Sequence, residues 1–223
     1  MIKLIINADD FGYRRLYNQM ILELIEEKAV TSTSVLIDKI DTTQTTQVKR
    51  LIQYSKDHLV SVGLHLHFQN TSFQAEIDRQ FAQFVSILGF EPSHVDIHKA
   101  DHLKQAYPVI QQFCRRRKIA CKNLSTYLDE PINLNGLITT KDPVFDGTGK
   151  SLVEIKQWLK SLSDGFHCIN FHPGYYDPES SSSLNKKRET DAEMIRKITQ
   201  CLAEFDIQLA NFNDLAKEYI MKL

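Results

Sequence analysis

Four short stretches of this chain carry side chains able to bind cations and move protons. The first is Asn7-Ala8-Asp9-Asp10-Phe11-Gly12, where two adjacent carboxylates follow the apolar run Leu4-Ile5-Ile6. Carboxylates buried there would need a cation or hydrogen-bond donors. The alternative is a surface turn with an aspartate as N-cap, and Gly12 permits the turn in either case. The second is Gly63-Leu64-His65-Leu66-His67, again at the end of an apolar run. His65 and His67 are two apart and leave the same face of an extended strand, one as a candidate ligand and the other as a structural histidine. The third is His94-Val95-Asp96-Ile97-His98-Lys99-Ala100-Asp101-His102, too polar for an ordinary buried strand, and a site explains it most economically. The fourth is Asn170-Phe171-His172-Pro173-Gly174-Tyr175, in which Pro173 stops the strand and exposes His172 at its C-terminal end. Seven of the eight histidines fall into three clusters, and only His58 stands alone.

The elements that must position these groups alternate along the chain. Apolar runs rich in Ile and Val predict strands at 2–7, 34–37, 60–66, 94–98, 119–121, 168–172 and 207–211. Between them lie stripes of helical period, clearest in Ile77, Phe81, Phe84, Val85 and Leu88, and present also around 20–25, 48–52 and 195–202. Thr190 and Glu193 have capping-box spacing, which predicts a helix start just after Arg188. No internal repeat or composition shift marks a linker, so residues 1–223 read as one domain. Seven strands with intervening helices predict an α/β fold, a closed or nearly closed (β/α) barrel of seven strands. In such a barrel all strand C-termini share one face, so the four stretches, each at a strand end, converge there. Residues 129–150 and 174–187 read as loops; the second is either a lid beside the site or a solvated connection.

Composition excludes several classes. With 27 Lys plus Arg against 28 Asp plus Glu, the totals lack the basic footprint of a nucleic-acid binder. The run Arg115-Arg116-Arg117-Lys118 suits a helix C-terminus, where cations favour the dipole. Four cysteines without a C-x-x-C pair read as reduced, mostly buried thiols. No stretch approaches the roughly 18 apolar residues of a membrane span, and the opening segment is too short for a signal sequence, which together predict a cytoplasmic protein. Gly147-Thr148-Gly149-Lys150-Ser151 resembles half of a phosphate loop, but Val144 stands where the first glycine is required. A Gly-x-Ser-x-Gly nucleophile motif is absent.

With these motifs assembled, the chain resembles the YdjC-like carbohydrate deacetylases. The resemblance runs from NADDFG through Asn18, V-T-S-T-S at 30–34, G-L-H at 63–65, H-x-D-x-H at 94–98 and H-P-G-Y at 172–175 to R-E-T-D at 188–191. It implies a distorted barrel of polysaccharide-deacetylase type and removal of an acetyl group from an N-acetylated sugar. It implies further that Asp10, His65 and His98 bind one divalent metal, that Asp9 is the general base and that His172 is the general acid. His102, Tyr175 and Arg188 become candidate substrate contacts. The resemblance favours Mg, whereas two imidazoles favour Zn or another transition ion. The implied partner is a small saccharide, with no nucleic acid and no membrane, and the implied assembly is a homodimer. Lys99 and Ala100 replace two histidines of the family pattern, the stretch between His65 and His94 is short, and Cys168 stands where an acidic residue is common. These differences alter the substrate pocket and spare the metal set. A metabolite-binding barrel without turnover, or a metal-dependent hydrolase of another acyl or phosphoryl ester, are the other readings of the same residues.

Overall fold

β1 (Ile2–Phe11) is buried along eight of its ten residues, as a strand must be when it is flanked by other strands and covered on both faces. The computed structural model describes residues 1–99, 104–127 and 134–221. β1 is followed by α1 (Arg15–Glu26), β2 (Ser32–Val35), α2 (Thr45–Lys56), β3 (Ser61–Leu66), α3 (Phe73–Leu88), β4 (His94–Ile97) and α4 (Tyr107–Arg117). The second half runs β5 (Ala120–Cys121), β6 (Phe145–Asp146), α5 (Leu152–Ser161), β7 (Gly165–Phe171), α6 (Arg188–Cys201), β8 (Ile207–Leu209) and α7 (Phe212–Met221).

Every pairing is parallel, and the order across the sheet is β5-β4-β3-β2-β1-β7-β6. β8 lies off this path, paired with Ile2–Leu4 of β1, while β2 pairs with β1 only from Asn7 onward. One flank of the central strand is thus shared between two short neighbours. The expected barrel is a curled half-barrel of seven strands, in which the unexpected β6 takes a place on the path and the strand expected at 207–211 pairs beside it as β8. Its edges, β5 and β6, are bridged by irregular chain: Cys121 N donates to Ile138 O at 2.8 Å and Val144 N to Asn123 O at 2.8 Å.

Several boundaries differ from the expectation. β1 continues past Asn7 to Phe11 through a register irregularity between Ala8 and Phe11. β6 lies inside the segment read as a loop, because its two residues, Phe145 and Asp146, are too few to show alternation. The capping box expected from Thr190 and Glu193 does not form. A 3-10 turn at Asn185–Lys187 runs directly into α6, so the helix begins at Arg188 and Thr190 already lies in its first turn. A capping box forms instead at α5, where Ser151 and Glu154 bond each other's backbone.

The helices cover the sheet with the stripes their periods predict. Ile77, Phe81, Phe84 and Leu88 of α3 are buried, each worth about 1.5–3 kcal/mol relative to exposure. Arg115, Arg116 and Arg117 occupy the last turn of α4, as expected of a basic run at a helix end. All four cysteines are free and buried. Among the described residues, no helix is long and apolar enough to cross a membrane.

Candidate active site and metal centre

The C-terminal ends of β1, β3, β4, β5 and β7 open into one cavity of about 600 Å³. Asp9, Asp10, His65, Asp96, His98, Lys122, Asn170, His172 and Arg188 all line it. Strict strand alternation would send Asp9 and Asp10 to opposite faces. The irregularity at the end of β1 removes that constraint, with Asp10 held at φ 74°, a left-handed conformation that aspartate adopts more readily than most residues. Both carboxylates therefore reach the same cavity.

Asp10, His65 and His98 form one corner of it. His98 Nδ1 lies 3.2 Å from Asp10 Oδ1 and 3.3 Å from His65 Nε2, and His65 Nε2 lies 3.6 Å from Asp10 Oδ1. Ligand atoms bound at 2.0–2.2 Å to a single ion stand roughly 3.0–3.5 Å apart. The other ring nitrogen of His65 is held by Asp96 Oδ1 at 2.5 Å, which orients the imidazole and directs Nε2 into the corner. Asp10 Oδ2 accepts from Arg188 Nη2 at 2.6 Å, but the buried Oδ1 has no aligned hydrogen-bond donor. Burial pushes the Asp10 carboxyl up, yet His98, His172, Arg188 and His65 outweigh it and hold the group well below the usual carboxylate range. Burial pulls the His65 imidazole down, and Asp96, Asp9 and Asp10 overcome it and raise it to about 9. A donor set of one orphaned carboxylate oxygen and two converging imidazole nitrogens fits a divalent metal.

The other corner already contains its cation. Asp9, His65 and Asp96 also lie close enough to hold an ion, but the Lys122 ammonium sits between the two carboxylates. Lys122 Nζ donates to Asp9 Oδ1 at 2.9 Å and Asn170 Oδ1 at 3.1 Å, and makes a short contact with Asp96 Oδ2. Asp9 also accepts from Asn7 Nδ2 at 2.7 Å and Asn170 Nδ2 at 2.7 Å. Burial would raise the Asp9 carboxyl, and Lys122, His65 and His172 together lower it despite Asp96. Burial likewise opposes the charge on Lys122, and Asp9 and Asp96 raise its pKa. Sequence reasoning missed Lys122. The signal was there: a lysine directly after Ile119-Ala120-Cys121, at a strand's C-terminal end like the carboxylates and imidazoles of the site.

His172 faces Asp9 across the cavity, with Nε2 3.9 Å from Asp9 Oδ2, and its backbone N–H donates to Asp191 Oδ2 at 3.0 Å. Arg188 lines the cavity but is buried against the Tyr17 ring, 3.9 Å from guanidinium carbon to centroid, with Nη2 committed to Asp10. Tyr175 is not brought to the cavity: its hydroxyl donates to Glu23 of α1 at 2.5 Å. His102 lies outside the described residues. His94 packs behind the site, stacked on Phe212 at 3.9 Å and bonded to Ser34 Oγ at 3.0 Å. Its ring occupies the space a side chain at position 63 would need, since a Cβ on Gly63 would stand 2.3 Å from it. His67 flanks His98, with ring centroids 5.8 Å apart, outside the three converging ligands.

Comparison with known proteins bears on what this arrangement does. The sequence profile described as YdjC-like protein matches residues 3–73 and 68–207. A chitooligosaccharide deacetylase of Proteus mirabilis is 28% identical over 261 residues, covering 95% of this chain and 98% of its own. The crystal structure of a putative cellobiose-phosphate cleavage protein from Enterococcus faecalis superposes with TM-score 0.77 at 21% identity, covering 96% of this chain and 98% of that one. A family 4 acetyl xylan esterase from Clostridium thermocellum, solved with a cobalt ion, gives TM-score 0.56 at 9% identity over 96% of this chain and 89% of its own. These two structures share the fold.

Proposed function

The chain belongs to the family of YdjC-like proteins, and we propose that it is a metal-dependent hydrolase removing an acetyl group from an N-acetylated sugar or small oligosaccharide. The observation that carries this reading is the convergence of Asp10 Oδ1, His65 Nε2 and His98 Nδ1 beside Asp9 and His172 in one cavity. Asp10, His65 and His98 would hold the ion. When bound, a divalent ion supplies a Lewis acid for the amide carbonyl and lowers the pKa of its water.

The remaining work falls to the chain's own groups. Asp9 is kept ionised and oriented by Lys122, Asn7 and Asn170, which suits it to take the proton of the attacking water. His172, on the far side of Asp9, is placed to give a proton to the nitrogen as the C–N bond breaks, so that the amine leaves and acetate is formed. Arg188 acts through Asp10, fixing the carboxylate that would ligate the metal.

Mg is the ion favoured by family resemblance, and Zn or another transition ion the one favoured by two imidazole ligands. The same reading carries a cytoplasmic homodimer, which light scattering on the purified protein tests. Acetate release from N-acetylated chito-oligosaccharides, assayed with Mg, Zn, Co or Mn, tests the activity. Release that disappears on chelation is expected; metal-loaded protein that releases none from the whole panel would overturn the assignment.

A further inference from the structure

The phrase Gly147-Thr148-Gly149, useless as a phosphate loop, is pressed against β7 immediately beside His172. Gly147 N donates to Asn170 O at 2.9 Å, and a Cβ at position 147 would stand 2.3 Å from the Phe171 ring, so only glycine allows this approach. Thr148 N is tied to Asp146 Oδ1 at 3.0 Å. These contacts leave the Thr148 hydroxyl 2.9 Å from His172 Nδ1. Asp191, buried at the start of α6, accepts from His172 N at 3.0 Å and Gly149 N at 3.4 Å, which brings its carboxyl beside residues 148 and 172; burial raises this carboxyl, and the two backbone donors, the His172 charge and the Thr148 hydroxyl oppose the rise.

A hydroxyl has one proton to donate and lone pairs to accept with. A Thr148 hydroxyl that directs its proton to the neighbouring Asp191 carboxyl is left to accept from the imidazole. We propose that Thr148 is a positioning residue that relays Asp191 to His172, holding the imidazole proton at Nδ1 and leaving Nε2 as the nitrogen that faces Asp9 and exchanges protons with the cavity. The two oxygens of Asp191 also anchor the backbone of residues 149 and 172, so its charge acts on His172 directly while its hold on the Nδ1 proton passes through this hydroxyl. The relay extends the proposed deacetylation, since a proton donor at Nε2 has to keep its second proton elsewhere throughout the cycle.

Long-range proton–nitrogen NMR spectra of the histidine rings, on metal-loaded full-length protein, read the tautomer directly; His172→Gln identifies the signals. The wild type is expected to show neutral His172 protonated at Nδ1. Thr148→Val, or Thr148→Ala if valine does not fold, should lose that single tautomer, whereas Thr148→Ser should retain it. In the acetate assay Thr148→Val should lower kcat about tenfold or more with KM changed less than about twofold, and Thr148→Ser should recover most of the loss. A wild-type ring protonated at Nε2, or a Thr148→Val ring that keeps the wild-type pattern, would overturn the relay. Should the wild type release no acetate while the ring still responds to Thr148→Val, the relay stands and the deacetylase reading falls.

Discussion

Asp9 and Asp10 are neighbours in sequence, equally buried, and yet the two corners of the cavity treat them oppositely. Around Asp9 the protein supplies every donor itself, from Lys122, Asn7 and Asn170. At Asp10, Arg188 satisfies one oxygen and the other is left facing two imidazole nitrogens, with no aligned donor. The saturated corner gains its stability from the chain and gives a carboxylate of fixed direction and charge. The open corner forgoes that stability, and an ion restores it. Burying a charge is costly unless it is compensated, so the unsatisfied oxygen marks where an outside cation belongs.

Perturbing the saturated corner should have the largest effect on folding. Lys122→Met leaves Asp9 and Asp96 uncompensated and is expected to cost about 3–5 kcal/mol in urea unfolding; a loss below about 1 kcal/mol would mean that the lysine does not hold this corner. Asp9→Asn should retain metal while lowering activity by about two to four orders of magnitude. Asp10→Asn should lose both, and equal metal affinity in the two variants by calorimetry would erase the distinction between them.

The open corner should show itself through linkage. Metal at a hundred times its Kd should stabilise the wild type by about 2.7 kcal/mol and leave His98→Ala unchanged in a thermal melt. Behind the saturated corner, burial pushes the His94 imidazole down to about 3 from 6.5, so unfolding takes up a proton between those values. Stability from this residue is complete above about pH 6.5 and is lost as pH falls toward 3. At pH 5 His94→Gln should remove roughly 1–2 kcal/mol of the acid sensitivity, seen as a flatter plot of Tm against pH. The smallest effect is expected outside both corners: Tyr175→Phe breaks a bond to Glu23 and should shift stability by no more than about 0.5 kcal/mol.

Much of this was legible in the chain, and the illegible parts have physical causes. The order of seven strands and of the helices α1, α2, α3 and α6 followed from apolar runs and stripes, which report which face of each element is buried; α5 and α7 were not read. Short elements escaped: β6 has two residues, too few for a period, and the start of α6 is set by a preceding 3-10 turn that the Thr190 and Glu193 spacing does not reveal. Apart from Arg188 at the start of α6, the expected residues drawn together at the cavity were those at strand ends, because a parallel sheet puts all such ends on one side. Lys122 met the same criterion and went unnoticed, since a lone lysine after an apolar run reads as a solvated side chain. Tyr175 follows His172 by three residues, but the chain turns at Pro173 and Gly174 and sends the phenol to α1.

By itself the sequence determined the α/β class, the clustering of carboxylates and imidazoles at strand ends, and membership of the chemistry they could serve. Tertiary structure alone decided that two adjacent aspartates would share a cavity, that one would be saturated by a lysine more than a hundred positions away, and that a threonine from a rejected motif would stand against His172. The reason is that side-chain types and periods are local, whereas which donor reaches which oxygen depends on how the sheet curls and where its register breaks.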